Sequence, residues 1–252
     1  RMIAEDGLRG MTSNPTIFDK AIGPSDLYTA DIRRCAALES KAIYEELVIP
    51  DILRAADLFR PLFDESKGGD GYVSLEVDPR LAHDTGGTTA EAFRLWDRLA
   101  RPNVMIKVPA TPEGIPAIEE ILARGINVNV TLIFSVKVYD AVIGAYRGGA
   151  ARAGRNVASV ASFFVSRIDS AVEKLLPADS NLRGRIAIAN AKRAYQLFKR
   201  SNVAQRPLWA STGTKNREFP DVLYVNELIG PQTVNHHKDH AGHKALLNAS
   251  SQ

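Results

Sequence analysis

Val104-Met105-Ile106-Lys107-Val108-Pro109-Ala110-Thr111 is the stretch on which the reading of this chain turns. Successive side chains of a strand point to opposite faces. Val104, Ile106 and Val108 therefore share one face, suited to packing beneath helices. Met105, Lys107 and Pro109 share the other. A charged group placed this way fits the inside of a barrel, whose strands turn alternate residues toward the axis. Thr111 with Pro112 reads as the N-cap and first residue of the next helix.

The neighbouring extended runs repeat the pattern. In Tyr72–Val77 and the residue after it, Val73, Leu75 and Val77 face outward and Ser74, Glu76 and Asp78 inward. In Ile126–Phe134, Val128, Val130 and Leu132 face outward and Asn127, Asn129 and Thr131 inward. Ordinary barrel interiors are filled with branched apolar residues, and buried charges do not stay unpaired. Three consecutive strands with polar inner faces thus point to a polar site near their C-terminal ends. Spacing alone leaves two blander readings open. Lys107 and Glu76 could form a plain internal ion pair, and the Asn and Thr residues could line a solvated sheet face.

Further extended runs are Leu8–Asn14, Val157–Phe164, Pro207–Ser211 and Pro231–Asn235, making seven, and most lie between amphipathic segments. Helical spacing marks Leu38–Phe63, Tyr139–Tyr146 and Ala187–Phe198, and Thr88 with Glu91 reads as a capping box ahead of Ala90–Leu99. Regular alternation of strand and helix predicts an α/β fold, a parallel (β/α)₈ TIM barrel. Seven strands are one short, and Arg1–Asp6 reads as the end of a helix. A first strand preceding residue 1 is therefore expected to be missing. The polar run His236–His240 reads as an abrupt turn where the last loop belongs, and Gly148–Asn156 is short for a helix-to-strand connection. With no Gly/Ser/Pro linker, residues 1–252 read as a single domain.

Bulk properties exclude several classes. A net charge of +3 without a long Lys/Arg run is weak ground for a nucleic-acid partner, and none is expected. A single cysteine, Cys35, excludes an internal disulfide framework. No apolar stretch reaches bilayer-spanning length and no secretory signal opens the chain, so no membrane partner is expected and the cytoplasm is the expected location. His236, His237, His240 and His243, with Asp239, have helical metal-ligand spacing but read better as an exposed tail, so no metal site is expected.

Chemistry follows from the inner faces. Desolvation penalises an ammonium, so a lysine withdrawn from water holds its neutral amine more readily. Such an amine attacks a ketone to form an imine, and the protonated imine permits cleavage of a nearby carbon–carbon bond. Glu76 is placed to shuttle protons through a water, with Thr131 and Asn129 holding that water or substrate hydroxyls. Ser162–Arg167 ends one late strand and Ser211-Thr212-Gly213-Thr214-Lys215 another. Loops late in barrel order often bind phosphate. With a central lysine, they point to a sugar phosphate.

Five stretches then match a known family: Thr12–Phe18 (TSNPTIF), Val73–Asp78 followed by Arg80-Leu81, Met105–Thr111, Ile126–Ser135 and Ala161–Asp169. Together with Leu228–Asn235 (LIGPQTVN), they make the chain resemble the transaldolases of bacteria over nearly all of their barrel except its start. The resemblance implies that Lys107 is the Schiff-base lysine and that Glu76 acts as acid and base through a water held by Thr131. It implies that Asn14 and Asn129 bind the dihydroxyacetone hydroxyls, that Ser162 and Ser211 contact substrate, that Phe164 shapes the pocket and that Arg167 binds phosphate. The implied reaction, in the pentose phosphate pathway, moves a dihydroxyacetone unit from a ketose phosphate (sedoheptulose 7-phosphate or fructose 6-phosphate) to an aldose phosphate, with no cofactor. Two departures stand out. The family carries a catalytic Asp on the first strand, and many members have an arginine shortly after the serine matching Ser211, where this chain offers Lys215. The alternatives are a fructose-6-phosphate aldolase-like enzyme, a piece of a fused transaldolase–isomerase and a non-catalytic sugar-phosphate-binding relative.

Overall fold

The computed structural model describes residues 2–177, 179–216, 218–238 and 244–248, with the backbone alone at 237, 238 and 244–248. The strands are β1 (Gly10–Thr12), β2 (Tyr72–Glu76), β3 (Val104–Pro109), β4 (Val128–Ile133), β5 (Ser159–Phe164), β6 (Arg206–Ala210), β7 (Val234–Lys238) and β8 (Lys244–Asn248). β1 to β7 pair in sequence order, each parallel to the next. β8 pairs antiparallel with β7 and, through Met11 and Ala245, with β1, closing the ring. The seven parallel strands are the seven runs read from the sequence. No eighth parallel strand is found among the described residues, in keeping with a (β/α)₈ barrel whose first strand is missing, and the remaining place in the ring is held by β8 in the opposite direction. The expected turn at His236 is also corrected, since β7 carries on through Lys238.

The α-helices are α1 (Met2–Glu5), α2 (Pro15–Ile22), α3 (Thr29–Arg34), α4 (Ser40–Glu65), α5 (Thr85–Leu99), α6 (Gly114–Ala123), α7 (Val136–Ala153), α8 (Ser166–Val172), α9 (Ile186–Ser201) and α10 (Leu223–Leu228). No helix among the described residues is long and apolar enough to cross a membrane. The larger apolar cluster lies between strands and helices. It joins Val73, Leu75, Val104, Ile106, Val108, Val128 and Val130 to residues such as Ile52, Leu95, Ile118 and Ala191. A smaller cluster holds the opposite strand faces: Met105, Val160, Leu208, Ala210 and Val234. Alternation has thus sorted the strands as read from sequence, and the small inner cluster leaves room for polar side chains.

Three local details differ from expectation. Leu132 does not join Val128 and Val130 on the outer face. The β4–β5 register shifts between Val130 and Ile133, Leu132 takes φ 59° and is 39% exposed, and Ile133 fills the core instead. A bulge of this kind re-aims side chains beside a site. Second, α5 starts at Thr85, three residues before the expected capping box. Asp84 is its cap and accepts the Gly87 N–H at 2.9 Å. Thr88 instead donates to the Leu81 carbonyl, and Glu91 pairs with Arg94 and Lys41. Third, α6 begins formally at Gly114, although Thr111 Oγ1 accepts the Gly114 N–H at 2.9 Å and so caps it as expected. Gly71 has φ 82°, and a Cβ there would lie 2.7 Å from Phe63 N and 2.8 Å from Phe59 O. Glycine is what allows β2 to start directly against α4.

Candidate functional site

Parallel register places Glu76 beside Lys107 and Lys107 beside Asn129, so three strands present these side chains in one row. Lys107 is buried. Its Nζ donates to Glu76 Oε2 at 3.0 Å and to the Ser13 carbonyl at 3.4 Å. Ser13 follows β1, and its hydroxyl donates to the Ser74 carbonyl at 2.7 Å, which holds in place the Ser13 carbonyl that accepts from the lysine. The lysine side chain is 9% exposed and that of Glu76 14%. Each charge is therefore largely withdrawn from water and held by the other.

A second chain of hydrogen bonds orients Asn129. Its Nδ2 donates to Ser74 Oγ at 3.0 Å, and its Oδ1 accepts from Ser162 Oγ at 2.7 Å. One layer nearer the mouth, Thr131 lies beside Pro109 in register. Its hydroxyl is buried and has no hydrogen-bond partner among the described residues. Such a group normally finds a partner, so this hydroxyl is free for a ligand. Below the row a cavity of about 20 Å³ reaches from Ser74 and Asn129 down to Asp70 and Arg206. That is room for about one water.

The other candidates ring that mouth. Asn14 caps α2 through its Oδ1, which accepts the Ile17 N–H at 2.9 Å, leaving its amide NH₂ for other partners. Phe164 ends β5, its ring 5.1 Å from that of Phe134, and the Arg167 guanidinium lies 5.1 Å from the Phe164 centroid. Ser211 has φ 58°, an unusual conformation for a serine. Its hydroxyl lies 2.9 Å from that of Ser166, and its carbonyl accepts the Ser166 N–H at 3.0 Å. Lys215 is exposed on the loop after β6 and makes no hydrogen bond or ion pair to these groups. It is not drawn into the cluster.

Two residues read as facing inward do something else. Asp78 caps the turn that follows it, accepts from Arg80 and lies 3.6 Å from Lys41. The Arg80 side chain, helped by the Arg80 backbone N–H and by Lys41, holds the Asp78 carboxyl down at about 2 despite its burial. Asn127 donates to the carbonyls of Pro102 and Val104 and braces the far end of β3. Conversely, the sequence reading gave Ser13 and Tyr44 no role of their own, and it placed Ser166 in a phosphate-binding run without its pairing to Ser211. Burial, then the charges of Glu76, Glu45 and Asp78, push the Tyr44 phenol up to about 12. Burial raises Glu45, but Arg94, Arg98 and Lys41 outweigh it and hold that carboxyl below its usual range. The resulting network ties α4 to α5 beside the mouth. No group of metal-ligating side chains occurs among the described residues, and Asp239, His240 and His243 lie outside them.

A largely buried lysine–glutamate pair among amides and hydroxyls, on the inward faces of neighbouring parallel strands of the barrel, defines a class of barrel equipped for imine chemistry. A family model described as Transaldolase/Fructose-6-phosphate aldolase matches residues 1–239. The chain is 48% identical over 261 residues to a protein named Transaldolase from Thiobacillus denitrificans, covering 93% of this chain and 73% of the relative. It is 46% identical over 270 residues to one from Trichodesmium erythraeum, covering 93% and 70%, and 49% identical over 252 residues to one from Parafrankia, covering 90% and 68%. The chain belongs to the transaldolase/fructose-6-phosphate aldolase family.

Proposed function

We propose that the protein is a transaldolase that transfers a dihydroxyacetone unit between sugar phosphates in the cytoplasm, through an imine on Lys107. The observation that carries this reading is Lys107 Nζ, buried at 3.0 Å from Glu76 and one strand from Asn129. Its amine adds to the ketose carbonyl carbon, and loss of water gives the protonated imine. Glu76 moves the protons of that dehydration through a water held by Thr131. Glu76 then accepts the C4 hydroxyl proton by the same route as the C3–C4 bond breaks. The bonding electrons flow into the imine, giving an enamine on Lys107 and releasing an aldose phosphate. The enamine adds to the carbonyl carbon of a second aldose phosphate, whose oxygen takes up the proton. Water hydrolyses the imine and returns the free lysine.

Asn129, fixed by Ser74 and Ser162, and the amide of Asn14 bind the dihydroxyacetone hydroxyls. Ser162 and Ser211 contact the substrate and Phe164 bounds the pocket. Arg167 takes the phosphate, with Lys215 as a peripheral charge. An arginine fork suits phosphate geometry better than a point charge does. The names of the relatives favour transfer over simple aldol cleavage.

Borohydride added with fructose 6-phosphate should trap a reduced adduct on Lys107, read by peptide mass spectrometry and missing in Lys107→Met. Substrate binding without an adduct would overturn the reading. With erythrose 4-phosphate present, the product should be sedoheptulose 7-phosphate; free dihydroxyacetone instead would mark an aldolase.

A further inference from the structure

We infer that Phe134 is a positioning residue for Arg167, acting through the ring of Phe164. The β4 bulge turns the chain after Thr131, leaving Phe134 39% exposed at the mouth rather than packed in the core. Its carbonyl is tied to α9 by Asn190 Nδ2 at 3.0 Å, which fixes where the ring can reach. That ring lies 5.1 Å from Phe164 at an interplanar angle of 36°. Phe164 in turn lies under the Arg167 guanidinium. Arg167 forms no ion pair with a carboxylate among the described residues. An arginine steadied by a carboxylate gives up N–H donors to it. One steadied on an aromatic ring keeps its donor edge free for an anion. Phe134 limits the tilt of Phe164, and with it the direction in which Arg167 presents that edge.

This rests on the proposed phosphate role of Arg167, and the test separates the two. Borohydride trapping is titrated with fructose 6-phosphate and with unphosphorylated dihydroxyacetone, and transfer kinetics are measured beside it. Phe134→Ala should raise half-saturation for fructose 6-phosphate about fivefold, the order expected for one lost aromatic contact. Half-saturation for dihydroxyacetone and kcat should stay within about twofold. Phe134→Tyr should restore the parental value and Phe134→Leu should not. Equal changes for both ligands, no change, or full rescue by Leu would overturn the inference. Should Phe134→Ala fail to fold, the comparison of Tyr with Leu decides alone. Arg167→Ala must itself discriminate between the ligands. If it does and Phe134→Ala does not, only the positioning role falls; if Arg167→Ala does not, the phosphate reading falls and takes this inference with it.

Discussion

Replacing Glu76 by glutamine would leave the shape of the site nearly unchanged while stripping Lys107 of its counter-charge. At 3.0 Å and an effective dielectric constant of about 20, the attraction between the two groups is about 5 to 6 kcal/mol. Slight solvent access and the hydrogen bond that an amide can still accept reduce the loss, so Glu76→Gln should destabilise the fold by about 2–3 kcal/mol. Losing one partner of a buried pair is costly because the other charge stays behind, whereas losing both can be nearly neutral. Lys107→Met/Glu76→Gln should therefore be more stable than the sum of the single changes predicts, with a coupling energy of about 2 kcal/mol. Urea unfolding of the parent, both single variants and the double variant measures it. In parallel, turnover of Glu76→Gln should fall about 10²- to 10⁴-fold, the usual worth of a positioned acid–base group. A coupling below about 0.5 kcal/mol would refute the pairing as an energetic unit. Parental turnover in Glu76→Gln would refute Glu76 as the proton carrier, even with the pairing intact.

Asn129→Ala removes the link between Ser74 and Ser162. It should cost about 1–3 kcal/mol of stability, read by thermal unfolding, and raise KM for ketose donors. Gly114→Ala places a Cβ against the Pro109 carbonyl oxygen at the end of β3. It should cost about 1–3 kcal/mol and slow adduct formation on Lys107, which lies two residues before Pro109 in β3; parental stability would count against that tight approach. Asp78 is held down at about 2 in the fold, below its ordinary range near 3.9. A depressed carboxyl stabilises above the unfolded-state value and loses that contribution as pH falls through the folded one. Asp78→Asn should thus be less stable than the parent above about pH 5, with the difference shrinking as pH falls toward 2. Urea midpoints across that range check the sign.

How far the sequence could be read depended on whether each side chain's duty is set by its own strand. Strand alternation in Val104–Pro109 was enough to turn Lys107 inward, and the same rule in the next strands supplied Glu76, Asn129 and Thr131, because period-two geometry allows no other arrangement once the outer face is apolar. It failed where the backbone leaves that period. The bulge after Val130 moved Leu132 out of the core and set Phe134 at the mouth, and no residue in Val128–Phe134 is a glycine that would have announced it. Asp78 falls on the inner phase, but the strand ends at Glu76 and the carboxylate turns back to cap the following turn. Ser13 and Ser166 were beyond reach for another reason. Their partners, Ser74 and Ser211, are 61 and 45 residues away, and only the pairing of neighbouring parallel strands, β1 with β2 and β5 with β6, brings them together. The direction of β8 was hidden in the same way, since a polar tail carries no mark of the strand beside which it will lie. The row proposed to carry the chemistry was therefore legible because it obeys alternation, and the shell that holds it in place was not, because it is built from loop ends and long-range pairs. If that division is general to this site, substitutions in the row should change kcat, whereas those in the shell, Ser13→Ala and Ser166→Ala among them, should act first on KM and stability. Steady-state kinetics of those two variants that showed loss of kcat alone would break the division.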